Sequence, residues 1–329
     1  MKITGARAWL FAVLLLPCGS PLAQQKADDR YPSRPVRWVV PYAAGGLPDT
    51  IVRVAAPKVL EDLGQQLVID NRGGAGGIVG SEIVARAAPD GYNFLVADVG
   101  QLAINQFVYS KLPYDPEKDF RPVGLIATSV LYLVVNGSVP AKSFGELVAL
   151  AKAKPGQLNY GSSGIGSIHH LSTEALKNAF GLNIVHVPYK GTGETIPALL
   201  GGQVAIAYAA LPSIEAHVKA GRVKVVAVSS IKRTARMSEV PTVAELGSPG
   251  YDFTPLIGLV APTATPPAVV ARMSNAVAKA MQAQDVVQRF SQLDIEPVGS
   301  TPEEYGKRLR EAVKKYAEAV KFSGTRIDN

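Results

Sequence analysis

Apolar residues recur along this chain in two rhythms. Short runs of β-branched and aliphatic residues at 36–40, 66–70, 93–97, 158–160, 184–187, 204–208 and 223–229, with a longer one at 125–135, predict strands. Stretches with apolar positions three and four apart at 50–63, 78–88, 143–154, 168–179, 267–282 and from 302 onward predict helices. Gly64 stops the first helix, and Pro89-Asp90-Gly91 turns the chain into the strand at 93–97. The last helix opens on Thr301-Pro302-Glu303-Glu304, a capping box with proline in the first turn. Tyr305, Leu309, Val313, Tyr316 and Val320 give it one apolar face. Alternation of strand and helix predicts an α/β fold with parallel sheets covered on both faces. No repeat or flexible linker divides the chain, which favours two lobes joined by more than one crossing, with a cleft and a hinge.

The start of the chain has a different pattern. Lys2 and Arg7 precede the apolar run 8–16, which breaks at Pro17, the layout of a secretory leader at 1–23 that is too short to span a membrane. Cys18 is the sole cysteine, and Pro17 stands against its being a lipidation site. Loss of 1–23 leaves an exported chain with no disulfide, stabilised by core burial alone. The formal charge of +7 includes Lys2 and Arg7 and no acid from that leader, so the remainder carries 7 − 2 = +5. The positive residues are scattered among acids, which argues against nucleic acid as a partner and permits an anionic ligand.

Three glycine-rich loops follow strands and open helices: "PYAAGGLPDT" at 41–50, "NRGGAGGIVGSE" at 71–82 and "YGSSGIGSIHHLSTE" at 160–174. The start of a helix favours an anion, because its first N–H groups lack partners and the dipole is positive there. Asp49 is expected to cap the first helix, and Ser167 or Ser163 the helix near His170. The second loop, with Asp98 ending the next strand, has the outline of a dinucleotide fingerprint, but Asn71-Arg72-Gly73 separates the strand from the relevant glycines. Tyr114 and Lys118 mimic Y-x-x-x-K, yet Pro116 breaks the helix that would align them. Neither Ser162 nor Ser163 sits in G-x-S-x-G, and no Walker loop is present. His169, His170, His186 and His217 are not at metal spacing; the first two are adjacent on a helix and point apart. No cofactor, metal or catalytic set is expected.

Read together, "VVPYAAGGLPD", "NRGGAGGIVGSEIVARAAPDGY", "INQFVY", "PYDPEKDFRPVGLI", "LNYGSSGIGSIHHL", "VPYKGTGETIPALLGGQV" and "VPTVAELGSPGY…GLVAPTATP" occur in an order and spacing that resembles the Bug, or TctC-like, extracytoplasmic solute receptors of tripartite tricarboxylate transporters. The resemblance spans about residues 31–320. It implies a type II periplasmic-binding-protein fold of two lobes with two crossover strands. Lobe 1 is expected at 31–127 and 229–329, and lobe 2 at 128–228. The resemblance further implies a carboxylate held through main-chain amides and bridging waters of loops from both lobes. Carried onto this chain, those positions are Tyr42, Ala44, Gly45, Gly46 and Asp49 in the first lobe. In the second they are Ser162, Ser163, Gly164 and Ser167, with Tyr189, Lys190, Gly191 and Tyr208 bordering the same cleft. The family implies membrane permease subunits as partners, a periplasmic location and, as expected here, a monomer.

The sequence departs from the family's usual residues at Ala205, Leu47-Pro48, Val99, Gln101 and Leu256, which points to a less polar cleft and a ligand with an apolar or aromatic body. Two other functions fit the same α/β frame: a ligand sensor for a signalling partner, and an exported enzyme. The absence of triad spacing, metal cluster or paired carboxylates disfavours the enzyme.

Overall fold

The computed structural model describes Met1 and residues 31–323; the expected leader at 1–23, Cys18 included, lies outside the described residues. The chain runs β1 (Val36–Val40), α1 (Leu47–Leu63), β2 (Leu67–Asn71), α2 (Ile78–Ala85), β3 (Asn93–Ala97), α3 (Asn105–Val108), β4 (Phe120–Ser129), β5 (Tyr132–Asn136), α4 (Phe144–Ala153), β6 (Asn159–Ser162), α5 (Ile168–Phe180), β7 (Val185–Pro188), α6 (Thr192–Leu200), β8 (Ile206–Ala209), α7 (Leu211–Lys219), β9 (Val223–Val228), β10 (Leu256–Pro262), α8 (Pro267–Gln282), α9 (Gln284–Gln292), β11 (Ile295–Pro297) and α10 (Pro302–Ser323).

These strands form two sheets, ordered β11-β4-β10-β3-β1-β2 and β7-β6-β8-β5-β9, each with helices packed on it. The expectation of parallel sheets holds only in part. β1, β2 and β3 are mutually parallel, as are β6, β7 and β8. β10, β11 and β5 run antiparallel to their neighbours, because the chain re-enters the first sheet after leaving the second and crosses from one to the other without a helix. The long apolar run expected as one strand at 125–135 is two, broken at Val130-Leu131. β4 belongs to one sheet and β5 to the other. The return passes through residues 229–255, and the two crossings are tied where Ser229 N–H donates to Leu131 O at 2.8 Å and Leu131 N–H donates to Ser229 Oγ at 3.2 Å.

Each lobe has its own core. Val39, Leu95, Leu125, Val260 and Tyr305 belong to one buried cluster, and Tyr132, Leu199, Ala207, Ile214 and Val228 to the other. Burying a side chain of this kind contributes roughly 1.5–3 kcal/mol. Gly258 of β10 is required by packing, since the ring of Tyr305 from α10 lies where a Cβ would be.

Local signals explain most boundaries. Thr301 Oγ1 accepts from Glu304 N–H at 3.2 Å while Glu304 Oε2 accepts from Thr301 N–H at 3.0 Å, the expected capping box. Ser143 and Ser167 cap α4 and α5 through their hydroxyls. Asp49 does not cap α1. The helix begins three residues earlier than expected, with Gly46 as cap and Pro48 in its first turn, so Asp49 falls at the third helical position. There its carboxylate reaches back to the Gly45 N–H at 2.9 Å and pairs with Arg53 at 3.0 Å.

Candidate functional site

The carboxyl ends of β1, β3 and β6 carry the three glycine-rich or helix-opening turns at 41–46, 98–104 and 163–167, and these turns from different lobes meet face to face. Lobe 1 gives Ala43 N–H to Lys190 O at 3.3 Å and the Tyr109 hydroxyl to Ile165 O at 2.9 Å; Ser213 returns a hydroxyl to Gly45 O at 3.3 Å. Glycines permit this approach. A Cβ on Gly46 would lie 2.7 Å from Thr192 Oγ1, one on Gly191 would lie 2.9 Å from Ala43 N, and one on Gly76 would collide with Ile165 O. Gly76 also sits at φ 61°, between Ala75 and Gly77, all three left-handed. Gly45 differs: its φ of 82° calls for glycine, but a Cβ there would meet nothing.

Enclosed by these contacts is a small cavity lined by Tyr42, Leu47, Pro48, Asp98, Ser163, Ile168, His169, Thr192, Pro255 and Ile257. About 10 Å³ of it is open to the centre of a water molecule, room for roughly one. Leu47, Ile168 and Thr192 are the first residues of α1, α5 and α6, so three helix starts drawn from both lobes converge on this space. Main-chain N–H groups in a first turn have no acceptor within their helix, and the dipole makes that end positive. Pro48 withholds one such donor from α1.

Three buried polar atoms at the cavity have no hydrogen-bond partner among the described residues: Ser163 Oγ and both ring nitrogens of His169. Buried polar groups are normally paired, and leaving one unmade costs roughly 1–3 kcal/mol. Burial holds the His169 imidazole neutral by lowering its pKa to about 4.

Asp98 also lines the cavity and is 3% exposed. Its Oδ1 accepts from Gly100 N–H at 2.6 Å, and Tyr42 Oη donates to its two oxygens at 3.1 and 3.0 Å. Tyr42 Oη in turn accepts from Gln101 Nε2 at 2.7 Å, and Gln101 also donates to Gly76 O at 3.1 Å. Burial raises the Asp98 pKa to about 6, partly offset by the Gly100 and Tyr42 hydrogen bonds. Gly100 opens a single π-helical turn, Gly100–Ile104, from which Gln101 reaches Tyr42 and Gly76.

Of the residues expected at the site, Tyr42 and Ser163 line the cavity, while Gly46, Gly164 and Gly191 form the glycine interface beside it. Ala44, Gly45 and Lys190 are exposed at the rim, where Lys190 contributes its carbonyl to Ala43, and Tyr189 is half-buried behind it. Asp49, Ser162, Ser167 and Tyr208 turn their polar atoms to partners elsewhere. Tyr208 bonds Tyr251 Oη at 2.8 Å, and Ser167 Oγ donates to Gly164 O at 2.7 Å. Asp98, His169 and Thr192 were not among the expected ligand positions. An acid ending an apolar strand and a histidine at the second position of a helix were the available signals.

A serine–histidine pair does exist. Ser162 Oγ and His186 Nε2 are 2.6 Å apart, with His186 stacked between Tyr160 and His170 at 4.7 and 4.2 Å. Ser162 is 1% exposed and does not line the cavity. Burial lowers the His186 pKa to about 3, far below that of a useful base near neutrality. Among the described residues no group of His, Cys, Asp and Glu could hold a metal ion.

Two α/β lobes, two crossings and a small cavity between strand ends define a periplasmic-binding-protein fold. The chain belongs to the family described as the tripartite tricarboxylate transporter family receptor, TctC, whose sequence model matches residues 51–324. It is 32% identical over 307 residues to the protein BugT of Bordetella pertussis, covering 93% of this chain and 94% of BugT. Among solved structures, an R. palustris protein determined with adipate superposes with a TM-score of 0.86 at 34% identity, over 89% of this chain and 98% of that one. MatC from Rhodopseudomonas palustris with bound malate gives 0.84 at 31% identity, over 88% and 100%.

Proposed function

We propose that this chain is a periplasmic receptor that captures a small organic acid between its lobes and delivers it to the membrane permease of a tripartite tricarboxylate-type transporter. The observation that carries the reading is the convergence of three helix starts on a small cavity beside which the Ser163 hydroxyl and the His169 ring lack partners among the described residues. That arrangement suits a carboxylate, whose oxygens would accept from main-chain N–H groups of the first turns of α1, α5 and α6 and from Ser163. Two relatives are solved with adipate and malate, both small carboxylic acids, which supports the same ligand class.

In this reading Tyr42, Ser163, His169 and Thr192 face the ligand, and Gly46, Gly164 and Gly191 let the lobes close on it. Lobe 1 comprises 31–127 and 229–329, and lobe 2 128–228. A cavity with room for about one water is too small for such an acid, so in this reading the lobes stand further apart with the acid bound than in the state described, and wider still for its entry. Hinge motion at Val130-Leu131 and within 229–255 serves that opening. Export by the leader at 1–23 places the protein beside the permease, where it acts as a monomer without catalysing a reaction.

A thermal-shift screen of carboxylic acids and their methyl esters on ligand-stripped protein tests the reading. A true ligand at 100 times its Kd stabilises by about 2.7 kcal/mol, several degrees in melting temperature, and its ester should not. Equal shifts from acid and ester would remove the carboxylate from the account.

A further inference from the structure

A cavity suited to an anion carries an acid of its own. Asp98 Oδ1 already receives the Gly100 N–H and the Tyr42 hydroxyl, whereas Oδ2 receives only Tyr42. A carboxylate oxygen accommodates two hydrogen bonds, so Oδ2 keeps an acceptor position. The Tyr42 hydroxyl has spent its one proton on Asp98 and accepts from Gln101, so it has no hydrogen left to offer a ligand. A neutral His169 offers one acceptor nitrogen as well as one donor. Among the described residues no lysine or arginine lines the cavity to neutralise a second negative charge.

We propose that Asp98 and His169 form a donor-selecting subsite. The ligand lays its carboxylate against the helix starts and turns a hydroxyl, amide or ammonium hydrogen toward Asp98 Oδ2, and a second ionised carboxylate is excluded from that end. The inference rests on the receptor reading above and narrows its ligand from organic acids in general to acids bearing a hydrogen-bond donor.

Two effects set the discrimination. An ionised carboxylate at Asp98 meets a like charge that is itself 3% exposed, where screening is weak. A hydroxyl or ammonium there fills an acceptor position that otherwise stays unmet. Both act in one direction, so a donor-bearing acid should bind at least about 10-fold more tightly than the diacid of the same length.

Calorimetry at pH 8 on ligand-stripped protein tests this with chain-matched sets: succinate, 4-hydroxybutanoate and 4-aminobutanoate, then adipate, 6-hydroxyhexanoate and 6-aminohexanoate. In the set whose length fits, the hydroxy or amino acid should exceed the diacid by about 10-fold or more. Asp98→Asn, checked for folding by circular dichroism, should bring the diacid to within about 3-fold of the hydroxy acid and weaken the amino acid most. His169→Gln should weaken the hydroxy acid yet keep the discrimination against the diacid, which guards against an Asp98 variant that fails to fold. A wild-type protein that binds the diacid as tightly as its donor-bearing partners overturns the subsite, as does an unchanged order in Asp98→Asn. The methyl ester of the hydroxy acid separates the two readings: tight binding of the ester defeats the carboxylate receptor, whereas the donor order decides Asp98. Silence across every set defeats both.

Discussion

Replacing Gly76 by alanine isolates lobe closure from the fold of either lobe. The new Cβ would collide with the Ile165 carbonyl of the opposite lobe, and backbone cannot rotate away as a side chain can. Relief requires the lobes to part locally. That strains or breaks the Tyr109 to Ile165 bond at 2.9 Å, the Ala43 to Lys190 bond at 3.3 Å and the Ser213 to Gly45 bond at 3.3 Å. At about 0.5–1.5 kcal/mol each, these set a closure penalty of about 2–4 kcal/mol. Where a ligand must draw the same two lobes together, a penalty of about 2 kcal/mol should weaken affinity by roughly 30-fold. Alanine at φ 61° also costs about 1–2 kcal/mol of stability, but in open and closed states alike. Gly181→Ala is the matched control, left-handed at φ 63° with nothing within 4 Å of its Cβ. Calorimetry with the tightest acid from the screen, alongside thermal melts, should show both variants losing stability and only Gly76→Ala losing affinity. Small-angle scattering should show Gly76→Ala retaining a larger radius of gyration at saturating ligand. Equal affinity and compaction in the two variants would refute the idea that these glycines exist for closure.

Stability should fall on acidification through the histidines. His169 and His170 are buried, and burial lowers each pKa to about 4 from an ordinary value near 6.5; the unfolded chain therefore binds more protons between those values, and stability is full above pH 6.5 and lost toward pH 4. Each contributes up to about 3 kcal/mol. His186, lowered by burial to about 3, adds a loss of similar size, while Asp98, raised to about 6 by burial, works the opposite way over pH 4–6 by about as much as one histidine, so the net is a loss of about 6 kcal/mol at pH 4; denaturant melts at pH 7.5 and 4.5 check it, and His169→Gln should flatten the dependence. In a separate comparison, Gly46→Val should weaken ligand binding by about 30-fold or more, because its Cβ would lie 2.7 Å from Thr192 Oγ1. Lys190→Ala, which trims an exposed side chain, should stay within about 3-fold. The reverse order in calorimetry would mean that an ion pair, and not the main chain, holds the acid.

Elements with strong local punctuation were legible in the sequence. β3 and α8 lie where the periodicity places them, and Thr301 and Glu304 form the box that their spacing implies. The break at Val130-Leu131 was invisible because both flanking strands are buried, so the apolar run does not change where the chain passes from one sheet to the other. The first helix began early because Gly46 caps it without a side chain and Pro48 is tolerated in a first turn. Short α6, interrupted in its pattern by Pro197, and β10 within "TPLIGLVAP" were not read at all. The glycine loops stood out, but what each glycine meets lies far along the chain, as Gly76 meets Ile165. Asp98 and His169 acquire their character from burial in the fold, which no local window contains.

The placement of β10 also bears on the order in which the molecule can assemble. It lies between β3 and β4, which do not otherwise pair, and it arrives only after the whole of the second sheet has been made. As the chain emerges from its amino end, the second sheet is contiguous in sequence and can complete itself early. The first is left as two fragments with unpaired edges, β1-β2-β3 on one side and β4 on the other, a state open to wrong pairing. A nascent or truncated chain stopping before residue 256 therefore has one finished half and one that cannot close. The last quarter of the chain acts as the keystone that turns two separate fragments into a sheet.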